Sequence, residues 1–188
     1  MISVFDIFKI GVGPSSSHTV GPMKAAKQFV DELRAGGKIR DVTRINVDVY
    51  GSLSWTGKGH HTDTAIIMGL AGNLPENVDI DGIPEFISRV EQTGRLPIGL
   101  HCHTVSFPKG AMVFHDEALP LHENGMKLTA FIEDEAIYSK TYYSIGGGFI
   151  VDEESFGKAD SGDMFSAVTA SHWPRGTASR PARYTSAV

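Results

Sequence analysis

Three short segments of this chain carry residue types from which a small-molecule site could be built. The first, GPSSSHT, places Ser15, Ser16, Ser17, His18 and Thr19 in a row just ahead of an apolar-periodic stretch. Hydroxyls and unpaired backbone N–H groups at a helix N-terminus suit a carboxylate or phosphate, because the first N–H groups lack helical partners and the dipole is positive there. Plain capping by serine or threonine, with His18 exposed, explains the same residues. The second segment is GKGHHTD. Gly57 and Gly59 let the backbone approach a ligand, and one of His60 and His61 can act as acid, base or hydrogen-bond donor. Neighbours in an extended stretch point to opposite sides, so both histidines do not serve one site, and a surface pair ahead of a helix is the alternative. In the third segment, SIGGGF, Ser144 is followed by Gly146, Gly147 and Gly148. Successive glycines can form a nest of N–H groups for an anion, or simply a hinge.

Two further groups read differently. In LHENGM, Asn124-Gly125 is a strong turn dipeptide, which favours a structural role in a loop between strands. His101-Cys102-His103 invites a metal, but in a strand the two histidines share a face and the cysteine points away. Without a third ligand in view, a structural or exposed role is preferred. Cys102 is the single cysteine, too few for an internal disulfide or for the thiolates of an iron–sulfur cluster. No Walker phosphate loop, nucleophile elbow or strand-coupled GxGxxG is present.

The elements that must position these segments follow from periodicity. Met23, Ala26, Phe29, Val30 and Leu33 form an apolar stripe on a helix over 21–35, with Pro22 in its first turn and Gly36-Gly37 stopping it. Alternation of Ile45, Val47 and Val49 with polar residues predicts a half-buried strand over 43–50. GSLSWTGKGHH reads as a loop, and TDTAIIMGLAG as a helix with Thr62 as cap and Asp63 in the first turn. Another helix is expected over 83–92. Strands are expected near 101–107, 111–115, 126–133 and 136–143, the last two separated by an acidic turn at Asp134-Glu135. Strands cluster late, so a single α+β domain is expected, with helices packed on a mixed or antiparallel sheet. Its bounds are read as 1–158. Residues 159–188, rich in Ala, Ser, Thr, Arg and Pro, read as a poorly ordered tail or linker. A net charge of −5 argues against general nucleic-acid binding. No apolar run is long enough to cross a bilayer, and the first residues lack the basic leader of a signal peptide, so a cytoplasmic location is expected.

Taken together and in order, ISVFDIFKIGVGPSSSHTVGPM, VYGSLSWTGKGHHTD, and LPLHENGM followed by YSKTYYSIGGGFIVDEE strongly resemble the amino-terminal beta domain of bacterial iron–sulfur-dependent L-serine dehydratases. The resemblance implies conversion of L-serine to pyruvate and ammonia. It implies a [4Fe–4S] cluster, one iron of which acts as a Lewis acid on the substrate hydroxyl, and no pyridoxal phosphate. The cluster cysteines are then those of a second, helical alpha domain, supplied in cis or in trans. The active site lies between the two domains, this chain holds no metal ligand, and alone it is inactive. Carried over by motif, His18 and His60 are the catalytic candidates, His60 rather than His61 because it lies in the shared GKGH stretch. Ser15, Ser16, Ser17 and Thr19 are implied to bind the substrate carboxylate or hydroxyl, with Asn124, Ser144, Gly146, Gly147 and Gly148 as further candidates for the same pocket. The domain also resembles the allosteric substrate-binding domain of some D-3-phosphoglycerate dehydrogenases. That leaves a second reading, a non-catalytic regulatory domain for serine or a small phosphorylated or carboxylate ligand. A homodimer is expected, and neither nucleic acid nor membrane is expected as a partner.

Overall fold

The alternation in RINVDV produces the central strand. In the computed structural model, which describes residues 15–57, 61–100 and 103–159 (backbone alone for 157–159), strand β1 runs Arg44–Val49. Ile45, Val47 and Val49 are completely buried on its inner face. Strand β5 (Gly125–Ile132) lies antiparallel beside β1. Next come β6 (Glu135–Gly146), antiparallel to β5, and β7 (Phe149–Asp152), antiparallel to β6. On its other side β1 pairs in parallel with β3 (His103–Ser106) and, further along, with β4 (Met112–Phe114). Strand β2 (Arg95–Ile98) closes that edge antiparallel to β3. The order is β2-β3-β1-β5-β6-β7, with β4 on β1. Helices α1 (Gly21–Ala35), α2 (Gly51–Thr56), α3 (Thr62–Leu70), α4 (Ile83–Thr93) and α5 (Glu153–Ala159) complete the domain. The result is a single α+β domain on a mixed, mostly antiparallel sheet, as the late clustering of strands implies. Among the described residues no helix is long and apolar enough to cross a membrane.

Several local expectations are corrected. The hydroxyl-rich run ahead of α1 is itself helical: Ser16–Val20 forms a π-helical turn that runs straight into α1. GSLSWT is the short helix α2 rather than part of a glycine-rich loop. Thr62 is the first residue of α3 and not its cap. His61 occupies the cap position in the left-handed region, at φ 55°, and makes no side-chain cap bond. The β5–β6 hairpin turns on Glu133 and Asp134, one residue earlier than expected, so that Glu135 already pairs with Ile132. Strands β2 and β7 and helix α5 are additions. RLPI carries a proline, tolerated because β2 is an edge strand. FIVD is too short to show a period. His101 and Cys102 lie outside the described residues, as does 160–188; the His103 ring bonds the Val42 carbonyl at 2.8 Å.

The C-terminal half of α1 is fastened to β6 and β7 by charge. The Glu32 carboxylate accepts from the Tyr138 hydroxyl, from Gln28 at 2.8 Å, from the Tyr142 hydroxyl at 3.2 Å and from Lys140 Nζ at 3.1 Å. Lys140 bridges onward to Asp152 at 2.9 Å. Burial alone would raise Glu32, but the bonds from Tyr138, Gln28 and Lys140 outweigh it and hold the carboxyl below its ordinary value. Burial and the Glu32 carboxylate push the Tyr138 hydroxyl up to about 12, and they raise Tyr142 as well. Burial opposes the charge on Lys140, but its bonds to Asp152 and Glu32 win and raise it.

Candidate functional site

The opposite end of α1 is assembled from hydroxyls, amides and glycines. Ser15 is extended, and its Oγ accepts the His18 N–H at 3.2 Å. Its carbonyl accepts from Thr19 N–H at 3.0 Å and Val20 N–H at 3.4 Å. The second of these bonds spans five residues and widens the turn into a π-helix, a geometry frequent at functional sites. The His18 ring then sits half-buried between two hydroxyls. Its Nδ1 is 2.8 Å from Ser17 Oγ, and Ser15 Oγ is 3.4 Å away on the same side. Its Nε2 is 2.9 Å from Ser52 Oγ.

Three remote elements converge on this turn. Ser52 arrives because only Tyr50 separates the end of β1 from α2, whose first residue, Gly51, turns the chain at a φ of +56°. The turn is fixed by bonds from Gly51 N–H to the Glu117 carbonyl and from Ser52 N–H to the Glu123 carbonyl. A Cβ on Gly51 would lie 2.4 Å from the Glu123 oxygen, so a side chain is excluded by space as well as by φ. The GKGHHTD segment contributes Thr62, fully buried, whose hydroxyl donates to the His18 carbonyl at 2.5 Å. The Thr62 N–H also bonds the Gly57 carbonyl at 3.0 Å, closing the loop between them. Finally, the end of β6 supplies Ser144, whose hydroxyl donates to the Ser17 carbonyl at 2.6 Å. That approach depends on Gly21, where a Cβ would fall 2.1 Å from Ser144 Oγ.

The remaining candidates sort around this centre. Asn124 ends the loop before β5 rather than forming a tight hairpin turn. It is buried and exchanges bonds with Ser144: its carbonyl accepts the Ser144 N–H at 2.9 Å and its Nδ2 donates to the Ser144 carbonyl at 3.2 Å. Its Oδ1 is buried without a hydrogen-bond partner among the described residues. Gly146, Gly147 and Gly148 all have positive φ. Gly148 lies against Val20, with Lys24 Nζ 3.7 Å from the position its Cβ would take. Ser16 is exposed and Thr19 fully buried, so these two hydroxyl residues face different surroundings. His60 lies outside the described residues, while His61 is exposed. Residues 15, 17, 18, 124 and 144 are thus brought together. Ser52, Thr62 and Gly21 join them without having been singled out for the site. The signal for Ser52 was its place directly after a glycine at the end of an alternating strand.

The chain has one cysteine, and no set of three histidine, cysteine or carboxylate residues among those described is grouped to hold a metal. What the geometry offers is an imidazole within bonding distance of serine hydroxyls at both ring nitrogens, in a short helical turn rich in hydroxyls that packs against Gly148 through Val20. That combination can hold a small polar anion and move a proton.

The family described as serine dehydratase beta chain matches residues 3–155. The chain is 68% identical over 162 residues to L-serine dehydratase 2 of Escherichia coli, covering 86% of this chain and 36% of that protein. To L-serine dehydratase 1 of the same organism it is 67% identical over 159 residues, 84% of this chain and 35% of the relative. An L-serine dehydratase of Helicobacter pylori is 36% identical over 153 residues, 81% of this chain and 33% of the relative. The chain spans about a third of the length of these relatives. With a match over 153 contiguous positions, it belongs to the serine dehydratase beta chain family.

Proposed function

We propose that this chain is the substrate-contacting beta portion of an L-serine dehydratase, which converts L-serine to pyruvate and ammonia together with a second portion outside it. The observation that carries the proposal is the His18 ring, set between the Ser17 and Ser52 hydroxyls where three remote segments meet. Loss of the α-proton and the hydroxyl from serine gives aminoacrylate, which tautomerises and hydrolyses to the products. An imidazole held by hydroxyls, each able to donate or accept, can take or give a proton without losing its partners, so His18, with His60, is the residue to test as base or acid. Ser15, Ser16, Ser17 and Thr19 are proposed for the carboxylate or hydroxyl of serine. Asn124, Ser144 and the three glycines are proposed for the wall of the same pocket. A [4Fe–4S] cluster is proposed for the second portion, held by cysteines outside this chain. A cytoplasmic homodimer is the proposed setting.

The test joins residues 1–158, the proposed domain, to the remaining two thirds of E. coli L-serine dehydratase 2. Pyruvate formation from L-serine by this chimera, and none by the chain alone, is expected. A folded chimera that makes no pyruvate overturns the proposal. Calorimetric binding of serine or of a phosphorylated three-carbon acid to such a silent chimera would favour the regulatory reading instead.

A further inference from the structure

The His18 ring has a feature that the motifs alone do not assign. Its Nδ1 contacts are local, from Ser15 and Ser17 within three residues of it. Its Nε2 contact crosses from another element: Ser52 Oγ, 34 residues away in sequence, at 2.9 Å. A bond at either ring nitrogen opposes rotation about χ2, and bonds at both Nδ1 and Nε2 restrain the ring more tightly than one alone. Each hydroxyl can donate or accept. One set of heavy-atom positions therefore satisfies the ring in either neutral tautomer and as the imidazolium. In one neutral arrangement the Ser17 hydroxyl donates to Nδ1 and Nε2–H donates to Ser52 Oγ. In the other, Nδ1–H donates to Ser17 Oγ and the Ser52 hydroxyl donates to Nε2. In the imidazolium both nitrogens donate.

Ser52 itself is well placed to be rigid. It follows Gly51, whose backbone is locked by φ and by space, and its N–H is bonded to the Glu123 carbonyl at 3.0 Å. Its carbonyl accepts from the Thr56 hydroxyl at 2.9 Å. We propose that Ser52 is the positioning residue of His18, holding Nε2 in place through every protonation state of the ring. This role rests on the proposed dehydratase function only in its consequence for turnover; the pairing can be read without it.

Two readouts separate the two ideas. In the isotope-labelled chain, long-range proton–nitrogen NMR reports the tautomer of His18 directly. Ser52→Ala is expected to shift the His18 ring-nitrogen resonances, and Ser52→Thr, which keeps the hydroxyl, to restore them. In the chimera described above, Ser52→Ala is expected to lower kcat about tenfold with KM changed by less than about twofold, and Ser52→Thr to recover most of the loss. Ring-nitrogen resonances unchanged in Ser52→Ala would overturn the inference, whatever the chimera does. Shifted resonances in a chimera that makes no pyruvate would leave the pairing standing and remove the dehydratase reading.

Discussion

At its C-terminal half, helix α1 is tied to the sheet by a carboxylate that takes bonds from two tyrosines, a glutamine and a lysine, the lysine reaching on to Asp152. Its N-terminal end meets the same strand, β6, through a serine hydroxyl on a backbone carbonyl, and sets serine hydroxyls against both ring nitrogens of His18. The charged end has one arrangement of donors and acceptors that satisfies it. Glu32 can only accept and Lys140 can only donate, so moving a proton there breaks the network. The hydroxyl end has several arrangements, because each serine can reverse its role while the heavy atoms stay where they are. One end of the helix has a single donor–acceptor arrangement, and the other has several over the same heavy-atom positions.

The largest effect expected from breaking this contrast comes at the charged end. Glu32→Ala leaves Lys140 and two tyrosine hydroxyls without their shared acceptor and should lower stability by about 2–3 kcal/mol in urea unfolding. The His18 ring-nitrogen resonances should not move. If they do, the two ends are not separate devices. Next comes Gly21→Ala. Glycine to alanine inside a helix ordinarily stabilises by about 0.5–1 kcal/mol. Here the sign should reverse, to a loss of about 1–2 kcal/mol, because the new Cβ would lie 2.1 Å from Ser144 Oγ and push it off the Ser17 carbonyl. A stabilised Gly21→Ala would mean that the end of β6 is not held against α1.

The pH dependence of stability sharpens the contrast further. Glu32 and Asp152 are held below their ordinary values of 4.5 and 3.8. A lowered folded-state value stabilises above the unfolded value, and that contribution is lost as pH falls through the folded one. Lys140 is raised from 10.5 and Tyr138 from 10.0, so their contribution is complete below about pH 10 and lost as pH rises beyond it. Urea midpoints measured across pH should therefore be flat through neutrality and fall at both extremes, and Glu32→Gln should shallow the acid fall. The smallest effect is a control. Arg89→Ala removes an exposed pair with Glu85 on α4 and should change stability by less than about 0.5 kcal/mol.

What the sequence discloses and what it withholds divide along physical lines. Helix α1 and strand β1 were legible because their faces are one-sided: every third or fourth residue of α1 and every second residue of β1 is buried. The presence of Ser15, Ser17, His18 and Ser144 in one place was legible from the joint resemblance of motifs. Ser52 was not legible as a partner of His18, because the contact depends on a left-handed Gly51 that turns the chain from strand directly into helix. Thr62 looked like a cap because threonine ahead of an apolar run usually is one. It serves His18 instead, since a left-handed His61 has taken the cap position. The bonds from Glu32 to β6 were invisible for a different reason: Tyr138, Lys140 and Tyr142 are 106 to 110 residues away in sequence, and no local pattern pairs them with it.

The measurement that bears most directly on the central claim is turnover of L-serine by the chimera carrying His18→Ala. Removal of a group that transfers a proton costs about 100-fold or more in kcat. That loss is predicted here, with the folded state and urea midpoint close to those of the parent chimera. Turnover within a few-fold of the parent would contradict the claim that the hydroxyl-held ring at the start of α1 takes part in the reaction.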